Sequence, residues 1–108
     1  MTAVLTLCRD VVLTRASGIN YIQIPIADSR PISVGKFDSV MDALGENIRW
    51  GTVLLNCAAG LSRAPIITAA WMHVVGYKNI DAALLEIAKL RSITDPSPVL
   101  LTSVKEYL

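Results

Sequence analysis

Charge is scarce in this chain: 18% of its 108 residues are Asp, Glu, Lys or Arg, against 53% hydrophobic residues. That balance excludes a disordered chain, which combines low hydrophobicity with high charge. No two basic residues are adjacent and the formal net charge is +1, so the footprint of a nucleic-acid or anionic-membrane binder is missing. No apolar run approaches the length of a membrane span. The apolar opening, AVLTLC, is cut short by Arg9 and Asp10 and has no basic residues before it, unlike a secretory leader; a cytoplasmic protein is expected. There is one histidine and there are two cysteines. His73 lies within an apolar helical pattern and reads as a core or surface residue, because zinc sites gather three or four ligands. Cys8 and Cys57 lack metal-site spacing, and in a reducing compartment such a pair is more often catalytic or buried than a structural disulfide. Neither a metal nor a cofactor is expected. With no repeat, low-complexity tract or linker, the length fits one domain over residues 1–108.

The residues that are present alternate between strand and helix signals. Val4 to Leu7 reads as a short buried strand and Tyr21 to Ile26 as another, with Pro25 near its end. Phe37, Val40, Met41, Leu44 and Ile48 recur at helical spacing and predict a helix over Val34 to Ile48, weakened by Gly45. Val53 to Asn56 is a mainly apolar strand of the kind buried on both faces of a parallel sheet. Pro65 suits the first turn of a helix running to about Val75, with Gly76 as its stop. Asp81 to Arg91 predicts an amphipathic helix with Leu84, Leu85, Ile87 and Ala88 on its apolar side. The Asp95-Pro96-Ser97-Pro98 segment breaks the pattern before a last short helix over Val99 to Leu108. The implied fold class is α/β, a mostly parallel central sheet flanked by helices.

The stretch NCAAGLSRAP, Asn56 to Pro65, joins the third strand to its helix. A strand, a loop of small residues and a helix start together present backbone N–H groups and the positive end of a helix dipole, which is an anion site suited to phosphate. Such a loop also stabilises a thiolate, so Cys57 reads as a nucleophile. The planar guanidinium of Arg63 can grip two phosphate oxygens at once. Between them Ala58, Ala59 and Gly60 have no bulk to obstruct the approach of the backbone, and the amides of Ala58, Ala59, Gly60, Leu61 and Ser62 can curl round one tetrahedral anion.

On these residues the chain resembles the cysteine-dependent protein tyrosine phosphatases, most closely their dual-specificity branch, whose signature is His-Cys-x5-Arg-Ser/Thr. Asn56-Cys57-Ala58-Ala59-Gly60-Leu61-Ser62-Arg63-Ala64 carries the cysteine, glycine and arginine in register. The likeness extends to a strand ending in Leu7-Cys8, a Gly18-Ile19 turn into a strand, an Asp-bearing loop, and a closing helix with Leu90-Arg91. It implies a minimal dual-specificity phosphatase-like fold and a protein phosphatase, a hydrolase working through a phosphocysteine intermediate on phosphorylated protein or peptide. The family's general acid is an aspartate on a loop roughly thirty residues before the cysteine, and Asp28 lies 29 residues before Cys57, where it can protonate the leaving oxygen. In the phosphoinositide phosphatases of the superfamily a second cysteine ends the first strand near the catalytic one. Cys8 occupies that place, where the resemblance implies a redox partner and the residue type by itself an ordinary buried strand residue.

Departures from the pattern carry their own expectations. Asn56 stands where the family has histidine and Ala64 where it has a hydroxyl residue, which implies slow turnover or, as an alternative, a phosphate-binding pseudophosphatase module. A rhodanese-like or arsenate-reducing thiol enzyme fits less well, since rhodanese loops are typically one residue shorter and arsenate reductases carry theirs near the N-terminus. The chain starts at the strand that the family precedes with a helix and a hairpin, which implies either a minimal fold or a truncated start with a bare sheet edge able to pair with a second copy.

Overall fold

The computed structural model describes residues 3–9, 17–27, 30–57, 63–90 and 96–108. Its elements run β1 (Ala3–Thr6), β2 (Asn20–Gln23), α1 (Val34–Ile48), β3 (Val53–Asn56), α2 (Arg63–Val74), α3 (Ile80–Leu90) and α4 (Pro98–Lys105). The strands form one parallel sheet in the order β2-β1-β3. Fold class α/β, with a parallel sheet flanked by helices, is therefore as the alternating pattern implies. Among the described residues no helix is long and apolar enough to cross a membrane.

The first strand, β1, is the central one, and all four of its residues are buried. It needs apolar or small side chains on both faces because it has a strand on each side and cover above and below. The expectation that Val53 to Asn56 would be the doubly buried strand is corrected. In β3, Val53 and Leu55 pack against the core, whereas Leu54 is 46% exposed. Strand β3 pairs with β1 alone among the described residues, and the cover reaches only one of its faces. The second strand ends at Gln23, short of the expected Ile26. Pairing nevertheless continues, with the Ile24 N–H donating to the Thr6 carbonyl at 2.9 Å and the Ile26 N–H to that of Leu7 at 3.0 Å. Pro25 falls between these two donors, where a missing N–H breaks no ladder bond.

Helix α1 starts at Ser33, whose hydroxyl accepts from the Lys36 N–H, and buries Phe37, Val40, Met41 and Leu44 along one stripe. Helix α2 is apolar nearly all round, burying Ala64, Pro65, Ile66, Ile67, Ala69 and Ala70, as suits a helix packed between β3, α3 and α4. It ends in a Schellman pair: the Tyr77 N–H donates to the Met72 carbonyl, the Gly76 N–H to that of His73, and Gly76 has φ +78°. His73 Nδ1 accepts the Ile80 N–H at 3.2 Å, so the histidine joins the end of α2 to the start of α3. On α3 the expected apolar face is partly wrong. Ile80 and Ala83 are buried and Leu84 and Ile87 pack against the core, but Leu85 is 64% exposed and Ala88 is exposed. At 100° per residue Leu85 points away from the side that Ile80, Ala83 and Ile87 share.

The last helix secures the segment ahead of α1. Ser103 is buried, and its hydroxyl accepts the Ile32 N–H at 2.9 Å and donates to the Ile32 carbonyl at 3.0 Å. The same carbonyl accepts from the Tyr107 hydroxyl at 2.6 Å, and the Tyr107 ring lies 5.5 Å from that of Phe37. Ser103→Ala leaves a buried N–H unpaired, which costs about 1–3 kcal/mol. A thermal midpoint lowered by roughly 4–8 °C per kcal/mol is the expected reading for a chain this size. A midpoint equal to the parent's would show that the hydroxyl is dispensable.

Candidate active site

The three strands end level, with Thr6 in register with both Gln23 and Asn56. The Leu7 N–H then donates to the Asn56 carbonyl at 2.7 Å, carrying the pairing one step past the strands. Cys57, Cys8 and the Ile26–Ala27 segment therefore leave the sheet at one carboxyl edge, where open parallel sheets bind their ligands.

Cys57 follows β3 directly and is 8% exposed, packed within the apolar core. Arg63 opens α2 and is half-buried. Its Nη1 donates to the Ile26 carbonyl at 3.2 Å. That bond orients the guanidinium, which carries five N–H donors in all. It also ties the start of α2 to the chain two residues before Asp28. Asp28 itself and the loop residues Ala58, Ala59, Gly60, Leu61 and Ser62 lie outside the described residues.

A cavity of about 550 Å³ opens beside Arg63. Cys8, Ile26 and Ala27 line it, together with Arg9, Arg30 and Lys36. Neither cysteine is in a disulfide. The exit of β1 is braced by Gln23, whose Nε2 donates to the carbonyls of Cys8 at 2.8 Å and Arg9 at 3.0 Å. The Lys36 ammonium donates to the Pro25 carbonyl at 2.7 Å. Sequence reasoning had singled out Cys8 and Arg63 but not Arg9, Arg30 or Lys36. Arg9 follows β1, whereas Arg30 and Lys36 stand at the approach to α1 and in its first turn, so no periodicity along the chain gathers the three.

Ala64 is buried, and its carbonyl accepts from the Thr68 hydroxyl at 2.8 Å. Asn56 is exposed at the end of β3. Both departures from the family pattern thus flank the Cys57 to Arg63 stretch.

The fold and the edge it exposes define an α/β domain in which a strand-to-helix join carries a cysteine and, six residues on, an arginine. No family model matches the chain. Human dual specificity protein phosphatase 18 is 34% identical over 74 residues, which is 67% of this chain and 39% of that protein. The chain thus spans about two fifths of the length of such curated relatives. Among solved structures, human DUSP28 superposes with a TM-score of 0.85 at 18% identity, covering 98% of this chain and 76% of that one. Tk-PTP in the active form gives a TM-score of 0.81 at 25% identity, covering 97% and 76%. The chain is dual-specificity phosphatase-like, in sequence and in fold.

Proposed function

We propose that the protein is a cysteine-dependent phosphatase of the tyrosine or dual-specificity type, acting on phosphorylated protein or peptide. The observation that carries this reading is the Arg63 bond to the Ile26 carbonyl. It draws the arginine that follows Cys57 to the segment leading into Asp28, at the edge where β3 delivers Cys57.

In the first step the Cys57 sulfur attacks phosphorus, the bond to the leaving oxygen breaks, and Asp28 gives that oxygen its proton. Arg63 and the amides of Ala58, Ala59, Gly60, Leu61 and Ser62 hold the three equatorial oxygens as charge spreads over them. In the second step Asp28, now ionised, takes a proton from water as its oxygen attacks the phosphocysteine, and phosphate leaves with the thiolate restored. With Asn56 before the cysteine and no hydroxyl at Ala64, this second step is the slow one.

Rapid mixing with an aryl phosphate in the presence of a chelator tests the scheme. A burst of phenol followed by slow steady release, unchanged by the chelator, is expected. Phosphate binding without release of phenol would leave a binding module instead.

Cys8, at the adjacent strand exit, is the group suited to trap a sulfenic acid formed at Cys57 under peroxide, condensing with it to a disulfide and water. Peroxide followed by mass analysis is expected to find the Cys8–Cys57 disulfide, reversible by thiols. Irreversible oxidation of Cys57 at the same rate in a Cys8→Ser variant as in the parent would assign Cys8 to packing.

A further inference from the structure

Strand β3 stands at the edge of the sheet and, among the described residues, pairs with β1 alone. The Ala3 N–H donates to the Thr52 carbonyl and the Leu7 N–H to the Asn56 carbonyl. Successive residues of a strand turn their backbone groups to opposite sides within the sheet, so Thr52, Leu54 and Asn56 face β1, and Val53 and Leu55 face outward. Edges of this kind are ordinarily guarded by lysine, proline or inward-pointing charge. Trp50 to Cys57 contains no charged residue and no proline. Leu54 is exposed on one face of the strand. On the other, Val53 and Leu55 line a mainly apolar groove of about 320 Å³ together with Ile48 and Leu90, which are exposed at the ends of α1 and α3.

We infer that this edge is completed by the β3 strand of a second copy, running antiparallel across a twofold axis at Leu54, so that the two sheets become one. Two observations favour a second copy over a strand of other sequence. The first is the symmetry of the backbone. With the axis at Leu54, Val53 of each chain lies opposite Leu55 of the other, and these are the two residues whose N–H and C=O face outward. Each such pair exchanges both of its hydrogen bonds, and Leu54 meets its own copy as the close, non-bonded pair between them. An axis at Leu55 would set Val53 against Cys57, which is buried, and one at Val53 would set Leu55 against Gly51, outside the strand. The second observation is charge: an uncharged strand meets no like-charge repulsion when it pairs with itself. So short an edge falls below the roughly 1,200 Å² that a specific interface buries, and the exposed side chains of Leu54, Ile48, Trp50 and Leu90 add apolar surface next to it. One patch serving both chains is the isologous contact of a twofold dimer. None of Cys57, Arg63 and Asp28 takes part, so the pairing is independent of the phosphatase reading.

Sedimentation from micromolar to submillimolar concentration, with amide exchange followed by NMR, tests the pairing. A monomer–dimer equilibrium is expected, in which the Val53 and Leu55 amides exchange more slowly as the dimer fills. Leu54 is exposed, so Leu54→Lys should keep the fold while raising the dissociation constant by about tenfold or more, because two like charges then lie directly opposite. Oxidation of a Leu54→Cys variant supplies a second readout that does not depend on the lysine variant folding. The close pair of an antiparallel ladder sets its Cα atoms about 4.5 Å apart, inside the range of about 4.4–6.8 Å that a disulfide spans. A dimer linked between the two positions 54, located by mass analysis, is therefore expected. Thr52→Cys should not link to its copy, since four residues of offset along the strands separate the two by roughly 13 Å. A monomer at every concentration with freely exchanging Val53 and Leu55 amides would overturn the inference. A monomer in which those amides are protected would overturn it in favour of another segment of the same chain covering the edge. A dimer indifferent to Leu54→Lys, or one that links as readily through position 52 as through 54, would place the interface elsewhere.

Discussion

Cys57→Ser is expected to abolish phosphatase activity, by at least about a thousandfold, the scale on which loss of a catalytic nucleophile registers. A serine hydroxyl at neutral pH is a poor nucleophile, and without a nucleophile no P–O bond is split. The fold should survive, because serine is no larger than cysteine and the site lies at the end of β3. Placing a hydroxyl where Cys57 is 8% exposed adds a desolvation cost of about 1–3 kcal/mol at most. Thermal unfolding beside the kinetic assay separates the two effects. A folded serine variant that turns over aryl phosphate at the parent rate would place the nucleophile elsewhere.

Asp28→Ala should show a loss that depends on the leaving group. General acids contribute roughly 10²–10⁴ in rate, and their contribution grows with the basicity of the departing oxygen. Alkyl phosphates and phosphotyrosine peptides should therefore lose about two orders of magnitude or more, while esters of acidic phenols, whose oxygen leaves unprotonated, should lose far less. A plot of log kcat/KM against leaving-group pKa is expected to steepen in the variant. Parallel plots for parent and variant would remove Asp28 from the acid role. The neighbouring anchors make this a fair test, since Ile26 is held by Leu7 and Arg63, and Ile32 by Ser103 and Tyr107.

Several elements could be read from local sequence because their limits are set by local chemistry. Helix α1 occupies Val34–Ile48 as expected, since Ser33 caps it and Phe37, Val40, Met41 and Leu44 give it a buried stripe. Strand β3 has the expected limits, Val53–Asn56. The end of α2 follows from Gly76, which reaches its positive φ without the clash a Cβ would bring. The likeness to dual-specificity phosphatases was legible for the same reason. It rests on a strand, a short loop and a helix start contiguous in the chain, and relatives and solved structures agree with it.

Other features depend on residues that meet only after folding. That β1 and not β3 is the central strand is a matter of which strand finds partners on both sides, and an apolar run reads alike in either place. Leu85 was expected on the buried side of α3, but an apolar residue on an amphipathic helix reveals its face only once the neighbouring helix is placed. The Ser103 bonds to Ile32 span 71 residues and the Arg63 bond to Ile26 spans 37, distances over which no periodicity carries information. The sequence by itself thus determined most element positions, the α/β class and the likeness carried by the Cys57 to Arg63 stretch, because caps, spacing and side-chain type act over a few residues. Only the tertiary structure decided that Arg9, Arg30, Lys36 and Arg63 share one cavity, because the segments that follow β1, β2 and β3 are brought to one wall by the parallel sheet that ends all three strands at the same edge.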